Sequence, residues 1–184
     1  MKPLLTMLAA AALVAPLLAQ AASVSAYQTM PDDPRAVQVK AAGDGRTDDS
    51  AAIQQALNAA SDKGEGGVVF LPSGRYRITR SLLVPQAVRL YGVGPTRPVL
   101  VLAANTPGFQ KGVANMVVFT GGDQYTVGKV PVPVKSAVPY SDNVRDANSA
   151  TFYSAMSNVD FEIGDGNPAA AAVRLRTAQH SYLS

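Results

Sequence analysis

The chain has 184 residues, no cysteine, and 16 lysines and arginines against 13 acidic residues, which gives a net charge of +3. The basic residues form no cluster, so this small surplus does not indicate nucleic-acid binding. The absence of cysteine excludes disulfide bonds and thiolate metal sites.

The first residues have the features of a signal peptide. A lysine precedes an apolar run from Leu4 to Leu18, and Ala19-Gln20-Ala21 places small residues where a signal peptidase cuts. The run is too short and too rich in alanine for a membrane span. We therefore expect residues 1–21 to be removed on export, with a second acceptable cut after Ala26. Residues 22–184 then form a secreted or periplasmic protein with no membrane contact.

An acidic, glycine-containing turn comes next. Gly43 and Gly45 permit backbone angles that a side chain forbids, and Asp44 between them suits a turn in which its carboxylate accepts backbone hydrogen bonds. Thr47 then suits the N-cap of a helix. The two acids that follow would lie in its first turn, where unpaired amides and the helix dipole favour negative charge; they are Asp48 and Asp49.

The helix that this turn introduces has one narrow apolar stripe, as expected of a helix that lies over the end of a core. The stripe consists of Ala52, Ile53, Ala56, Leu57 and Ala60. Asp62, Lys63 and Gly64 are predicted to end the helix.

The three carboxylates of the turn could also bind calcium, because hard cations prefer clustered carboxylates. Asp44, Asp48 and Asp49 lack the alternating ligands and the distal glutamate of an EF-hand loop. Turn and cap roles are favoured, and no metal site is predicted.

Short extended segments follow, each ended by a proline or glycine. They are Val68–Leu71, Tyr76 to Ile78 in alternation with arginines, Leu82–Val84, Val88–Tyr91 and Val99–Leu102. Five short strands without intervening helices exclude a doubly wound α/β sheet and leave a sandwich, a barrel or a β-solenoid. The helix before the strands favours the solenoid, because a stacked coil has an open end that must be covered.

These segments together resemble a known superfamily. The motif Gly43-Asp44-Gly45-x-Thr47-Asp48-Asp49-x-x-Ala52-Ile53, then Gly66-Gly67-Val68-Val69-Phe70-Leu71-Pro72-x-Gly74-x-Tyr76, is similar to the N-terminal cap and first coils of the pectate-lyase-like superfamily. This resemblance implies an all-β fold, a single-stranded right-handed parallel β-helix with one N-terminal capping α-helix.

A second resemblance involves the end of the chain. Ser157 to Pro168, and then Ala178-Gln179-His180-Ser181-Tyr182-Leu183, are similar to the first β-helix of the glycoside hydrolase family 55 exo-β-1,3-glucanases. The resemblance implies a β-1,3-glucan such as laminarin as polysaccharide partner, cut by inversion without a metal or cofactor. It also implies a second, C-terminal β-helix that carries the catalytic acid. We therefore interpret residues 22–184 as the N-terminal part of an incomplete β-helix domain, inactive alone.

Few residues are candidates for chemistry. By resemblance, Gln179 would help to hold the attacking water, and a structural role in a turn is equally open. Asp160 and Glu162 lie two apart on a predicted strand and so face the same way. The strand pattern, with Phe161 and Ile163 directed into the core, favours a solvated face over a glycosidase pair.

Aromatic side chains offer a way to bind sugars, because exposed rings stack on the apolar faces of sugar rings. Tyr125, Tyr140, Phe152 and Tyr153 lie in or beside the long segment from Gly121 to Ser149. We predict that Tyr125, Tyr153 and His180 contact substrate.

Two other functions remain open at this stage. One is a non-catalytic carbohydrate-binding or structural β-helix comparable to phage fibres. The other is a relative of pectin-acting lyases or polygalacturonases.

Overall fold

The structure is a computed structural model that describes residues 23–61, 66–121, 147 and 151–184. Within these ranges the chain forms one helix, α1, and twelve strands. Their bounds are β1 Val37–Gln38, β2 Asp44–Asp48, α1 Ser50–Ser61, β3 Gly67–Pro72, β4 Arg75–Ile78, β5 Leu82–Val84, β6 Val88–Val93, β7 Val99–Leu102, β8 Ala114–Phe119, β9 Ala155–Ser157, β10 Asp160–Ile163, β11 Ala170–Arg174 and β12 Tyr182–Leu183. In this part of the chain, no helix has the length and apolarity to cross a membrane.

The strands pair in parallel and form three sheets. The sheet orders are β1-β3-β6-β9-β12, β2-β4-β7-β10 and β5-β8-β11. The chain visits the three sheets in the same sequence each time, and we call each of β3-β4-β5, β6-β7-β8 and β9-β10-β11 a round. Parallel strands in this repeating order are consistent with a β-helix and do not fit an antiparallel sandwich or up-and-down barrel.

The predicted strands are confirmed. Leu82–Val84 and Val99–Leu102 have the predicted bounds, and the other three differ by one or two residues. Alternation sets their orientation, because successive side chains of a strand point to opposite faces. Tyr76 and Ile78 are buried, whereas Arg75 is exposed and Arg77 is half-buried.

The inward side chains of all three sheets form one hydrophobic cluster. Leu71, Leu90, Ile78, Leu102 and Leu82 are fully buried in it. Stacking in register brings like positions of successive rounds together, as where Ile78 pairs with Leu102 and Leu71 with Gly92. The core is therefore continuous from round to round.

Helix α1 takes the place that a strand of the third sheet holds in each later round. Its buried stripe includes Ile53, Ala56, Leu57 and Ala60, and it packs against β1, β3 and β5. Gln54, also buried, accepts a hydrogen bond from Leu83 N at 2.8 Å and donates one to Leu83 O at 2.8 Å. This amide satisfies the edge of β5 as a neighbouring strand would.

The start of the helix differs from the prediction. Helix α1 begins at Ser50, with no acid in its first turn, so Thr47 is not its N-cap and Asp48 and Asp49 are not inside it. Asp49 is the residue whose carbonyl accepts the first helical bond, from Ile53 N at 3.0 Å. Thr47 belongs to β2, because the turn extends into a strand that pairs with β4.

Strand β10 lies at the edge of its sheet, and this changes one prediction. Phe161 packs against the core as expected, but Ile163 is 42% exposed. Ile163 pairs with Leu102 and shares its inward orientation, yet among the described residues no further strand covers β10. The inward direction of the Ile163 side chain was therefore predicted correctly, but its burial was not.

Candidate functional site

A group of aromatic and basic side chains lies on the outside of the five-stranded sheet. Val88 and Leu90 of β6 are fully buried, so the alternate residues Arg89 and Tyr91 face outward. Four more residues extend this group. We call the set the aromatic surface; its members are Tyr27, Arg89, Tyr91, Tyr153, His180 and Tyr182.

Tyr153 and His180 form the centre of the aromatic surface. Their rings are parallel within 8°, with centroids 5.1 Å apart, and both residues are exposed. Both have a left-handed backbone, with φ of 60° for Tyr153 and 61° for His180. A non-glycine residue in this region costs on the order of 1 kcal/mol or more, and such strain is concentrated at functional sites.

Hydrogen bonds between successive rounds hold the two loops that carry this pair. Tyr153 N donates to Gln179 O at 3.4 Å, and Ala178 N donates to Thr151 O at 2.9 Å. The segments before β9 and β12 therefore run beside each other, and their exposed rings meet outside the sheet.

Arg89 places a positive charge beside the stacked pair. Its guanidinium carbon is 5.8 Å from the centre of the Tyr153 ring, and its Nε donates to Tyr153 O at 3.1 Å. No carboxylate among the described residues forms an ion pair with Arg89. The five strands of this sheet contain no aspartate or glutamate. The positive charge of Arg89 therefore has no carboxylate partner in the part of the chain that the structure describes.

Three tyrosines continue the aromatic surface. Tyr91 and Tyr182 share a hydrogen bond of 2.6 Å between their hydroxyls, and the Tyr27 ring meets the Tyr91 ring edge-on at 5.8 Å. Burial, together with the hydrogen bond to Tyr182, raises the pKa of Tyr91 to about 12. The Tyr91 phenol is therefore a neutral hydrogen-bonding group throughout the physiological pH range.

The other predicted substrate-binding and water-positioning residues have different outcomes. Gln179 is exposed in the turn that carries His180, and its carbonyl accepts the Tyr153 amide. Gln179 therefore lies beside the stacked pair, and its water-positioning role stays a prediction. Tyr125 and Tyr140 lie outside the described residues.

Asp160 and Glu162 lie on another sheet, the four-stranded one, and each has its own arginine. Arg97 is 3.4 Å from Asp160 Oδ1, and Arg75 is 2.6 Å from Glu162 Oε2. Both carboxylates lie at the surface beside these cations and form two separate ion pairs. This arrangement favours the solvated-face interpretation over a pair of acids that act on one glycosidic bond.

The acidic turn uses its carboxylates for local hydrogen bonds. Asp44 accepts from Arg46 N and Thr47 N at 2.8 Å each, which lowers its pKa. Asp49 is buried and accepts from Ala42 N at 2.9 Å and Gly43 N at 3.1 Å.

The carboxylate of Asp48 accepts hydrogen bonds from two hydroxyl groups. Its partial burial would raise its pKa, but hydrogen bonds from the Ser50 and Thr79 hydroxyls outweigh this effect, and the pKa lies below the usual value. In the described ranges, no three His, Cys, Asp or Glu side chains are grouped so that they could hold a metal ion.

Sequence analysis alone did not select Arg89, Tyr91, Tyr27 or Tyr182. A signal was present for two of them, because alternation with Val88 and Leu90 already directs Arg89 and Tyr91 outward. The predicted β-helix implied stacked strands, but the sequence did not indicate which segments would be the neighbours of β6.

Comparison with known proteins agrees with the parallel architecture. The sequence model of the family "Rhamnogalacturonase A/epimerase, pectate lyase-like" matches residues 36–184. The chain belongs to this family. Membership supports the pectate-lyase-like superfamily predicted from the Gly43–Tyr76 motifs, whereas the finer resemblance to family 55 glucanases finds no support.

Individual proteins match over short stretches. Alginate lyase 7 of Azotobacter vinelandii is 42% identical over 69 residues, which is 34% of this chain and 8% of that protein. Mannuronan C5-epimerase AlgE3 of the same organism is 35% identical over 91 residues, or 46% of this chain and 5% of that protein. The chain thus spans less than a tenth of these relatives.

Solved structures match more loosely. The ORF18 protein of Geobacillus virus E2 has a TM-score of 0.46 and 24% identity, over 75% of this chain and 22% of that chain. The surface adhesin PfbA of Streptococcus pneumoniae has a TM-score of 0.34 and 20% identity, over 69% of this chain and 35% of that chain.

Proposed function

We propose that this chain is the N-terminal module of an exported carbohydrate-active protein and that its aromatic surface binds a polysaccharide. The observation that carries the proposal is the stacked pair of Tyr153 and His180 with the Arg89 guanidinium beside it, which forms no ion pair with any described carboxylate. Exposed aromatic rings bind the apolar faces of sugars, and the neighbouring hydroxyls and guanidinium offer hydrogen bonds to the sugar oxygens.

We further propose that the module winds as one right-handed solenoid, with α1 as its N-terminal plug. The repeated visit to three parallel sheets supports this winding. Crossovers between parallel strands are right-handed in about 98% of known cases, which supports the hand. In a solenoid, equivalent side chains of successive rounds form ladders along the outside, and an extended polymer is a ligand of matching shape.

An acidic polysaccharide, one rich in uronates, suits the aromatic surface best. Arg89 is a fixed cation with no ion-pair partner in the part of the chain that the structure describes, and the strands around it contribute no carboxylate. A guanidinium can bind a carboxylate with two parallel hydrogen bonds. The names of two relatives, an alginate lyase and a mannuronan epimerase, agree with a ligand of this class.

A second candidate is a module of an exo-β-1,3-glucanase, which would bind a neutral β-1,3-glucan. The observation in its favour is that Gln179, the proposed water-positioning residue, is exposed next to the stacked rings. Under this proposal the catalytic acid lies outside β10, because both candidate acids on that strand are held by arginines.

Isothermal titration of the exported chain with alginate, polygalacturonate and laminarin distinguishes these candidates. We expect heat of binding for the two uronates that weakens as salt is raised, because salt screens charge pairs at an exposed site. Binding to laminarin alone would favour the glucanase module. If all three polymers fail to bind, the polysaccharide proposal is wrong and a structural β-helix replaces it.

Two variants locate the binding. Arg89→Ala should lower the affinity for the uronates and reduce its dependence on salt. Arg35→Ala is the matched control, because it removes the same charge from a guanidinium that is 87% exposed and already paired with Asp33. Equal losses in both variants would show that only net charge matters and that the aromatic surface is not the site.

A further inference from the structure

Tyr27 belongs to a segment that precedes the first sheet and is tied to the end of β6. Its carbonyl oxygen accepts a hydrogen bond from Gly94 N at 2.8 Å, directly after that strand ends. Ser23 O likewise accepts from Arg97 N at 3.0 Å. We call residues 23–27 the strap. The strap therefore lies beside the turn that connects β6 to β7.

A buried asparagine joins the strap to the round that begins with β9. Asn158, which follows β9, donates from Nδ2 to Ser25 Oγ at 2.7 Å, and its Oδ1 accepts from Ala26 N at 2.9 Å. Ser25 Oγ in turn accepts from Tyr27 N at 3.2 Å. Ser25 and Asn158 are both only 3% exposed, whereas Tyr27 is 40% exposed. The buried pair thus holds the backbone from which the Tyr27 ring reaches the surface.

The strap places Tyr27 at the opposite end of β6 from the stacked pair. Arg89 pairs with Ala155, which follows Tyr153 by two residues, so the stacked pair is level with the start of β6. Tyr27 lies at the end of that strand, where its ring meets the Tyr91 ring edge-on. The stacked pair is level with the position two residues before Arg89, and Tyr91 follows two residues after it, so the two are about 13 Å apart along the strand at about 3.3 Å per residue. The aromatic surface therefore extends in the strand direction, from the stacked pair past Arg89 to Tyr27.

We propose that Tyr27 forms the far end of the polysaccharide site, and that Asn158 and Ser25 are positioning residues that hold it there. The polymer then lies along β6 and crosses one ladder of side chains after another. One sugar contacts the stacked pair, Arg89 binds the middle of the chain, and a later sugar packs on the rings of Tyr27 and Tyr91. This inference rests on the polysaccharide binding proposed above, and it adds the direction of the polymer and the contribution of the strap.

A fluorescent reporter tests whether the polymer reaches Tyr27. The chain contains no tryptophan, so Tyr27→Trp introduces a single indole at the far end of the site. An alginate hexasaccharide is long enough to reach both ends, and it should change the indole emission with the same Kd that calorimetry gives. Val113→Trp is the matched control, because Val113 is 70% exposed and directly precedes β8, a strand of a different sheet. The emission of the control should stay constant.

The outcomes separate this inference from the proposed function. Heat of binding with an unchanged emission of Tyr27→Trp would overturn the inference and leave polysaccharide binding intact, as would equal changes of emission in both reporter variants. If neither an alginate nor a laminarin hexasaccharide gives heat of binding, both the polysaccharide function and this inference are wrong.

A pair of substitutions tests the positioning role. Tyr27→Ala should lower the affinity for the hexasaccharide about two- to tenfold, the value of one aromatic contact. Ser25→Ala should approach this loss, because it removes the oxygen that Asn158 and Tyr27 both contact. Ser23→Ala is the matched control, because Ser23 is exposed and its bond to Arg97 uses only the carbonyl.

The double variant shows whether Ser25 acts through Tyr27. In the Tyr27→Ala background, Ser25→Ala should have no further effect on affinity, because residues that act through one another are not additive. All affinities are measured below the melting temperature of every variant. Full additivity of the two losses, or an unchanged affinity in Ser25→Ala, would contradict the positioning role.

Discussion

The ring of Tyr153 lies parallel to the ring of His180 with their centroids 5.1 Å apart, although each residue has a left-handed backbone. The two residues precede β9 and β12, which are neighbours in the same sheet. Repetition of the same backbone conformation at both loops directs the two rings outward side by side. The surface they form is therefore a product of the stacking of one round on the next.

Truncation of either ring should weaken polysaccharide binding. For Tyr153→Ala and for His180→Ala we expect about a two- to tenfold loss of affinity each, since an aromatic stacking contact contributes about 0.5–1.5 kcal/mol. The double variant should lose less than the sum, because the first substitution already removes the stack. Titration calorimetry with alginate measures the affinity of all three variants. Val113→Ala is the control, because Val113 is 70% exposed and directly precedes β8, a strand of a different sheet. Strictly additive losses would contradict cooperation between the rings.

Hydrolytic activity should be absent from the chain alone. No glucose should be released from laminarin, because Asp160 and Glu162 are each held by an arginine and so form no facing pair of catalytic acids. A reducing-sugar assay over many hours measures this. Glucose release that disappears in Glu162→Gln would show that a catalytic acid lies within these residues after all.

High pH should destabilise the protein through its buried phenols. Burial, with the nearby Asp49 charge, raises the pKa of Tyr76 to about 12. The unfolded chain has tyrosine pKa values near 10. Stability from the neutral phenol is thus complete below pH 10 and is lost as the pH rises from about 10 to 12, because the unfolded state releases its protons first.

Tyr76→Phe tests this linkage. The variant loses the hydrogen bond from the Tyr76 hydroxyl to Pro72 O and should be less stable at pH 7. Its free energy of unfolding should then fall less steeply between pH 10 and 12 than that of the wild type. Urea denaturation at a series of pH values gives both slopes, and parallel slopes would refute the assignment.

The carboxylate of Asp49 should contribute more to stability than that of Asp44. Asp49→Ala removes a buried carboxylate that accepts from the amides of Ala42 and Gly43, and we expect a loss of roughly 1.5–3 kcal/mol, as for hydrogen bonds to a charged group. Asp44→Ala should cost much less, because water replaces an exposed acceptor. Urea denaturation compares the free energies of unfolding of the two variants. A larger loss for Asp44→Ala would contradict the prediction that Asp49 is the more important carboxylate of the turn.

The amide of Gln54 should be essential to the attachment of the helix. Gln54→Leu leaves both Leu83 N and Leu83 O unpaired in a buried place, which should cost about 2–4 kcal/mol. Gln55→Leu is the matched control, because Gln55 is the exposed neighbour. If both variants unfold at the same urea concentration, Gln54 does not bridge helix and strand in solution.

Much of the fold was accessible from the sequence. Alternation placed Tyr76 and Ile78 inside, and prolines and glycines marked the ends of the strands. The start of the helix was missed because Thr47, Asp48 and Asp49 all suit an N-cap, and the choice among them depends on pairing with β4.

The aromatic surface was only partly accessible. Tyr153 and His180 were selected as single residues, but their stacking depends on the register of β9 against β12. That register follows from Tyr182 lying beside Ala155, a contact between distant parts of the chain. Ile163 was misjudged for a similar reason, because burial of an inward residue depends on whether another strand follows it.

The two hydrogen bonds of Gln54 also make the two edges of the three-stranded sheet different from each other. The Gln54 amide occupies the donor and acceptor of Leu83 that an incoming strand would need, so recruitment of foreign chains is blocked on the helix side of that sheet. Within this three-stranded sheet, backbone pairing by an added strand is thereby left to the opposite edge, which β11 forms among the described residues. A peptide designed to pair with this sheet should bind beside β11 and not beside β5.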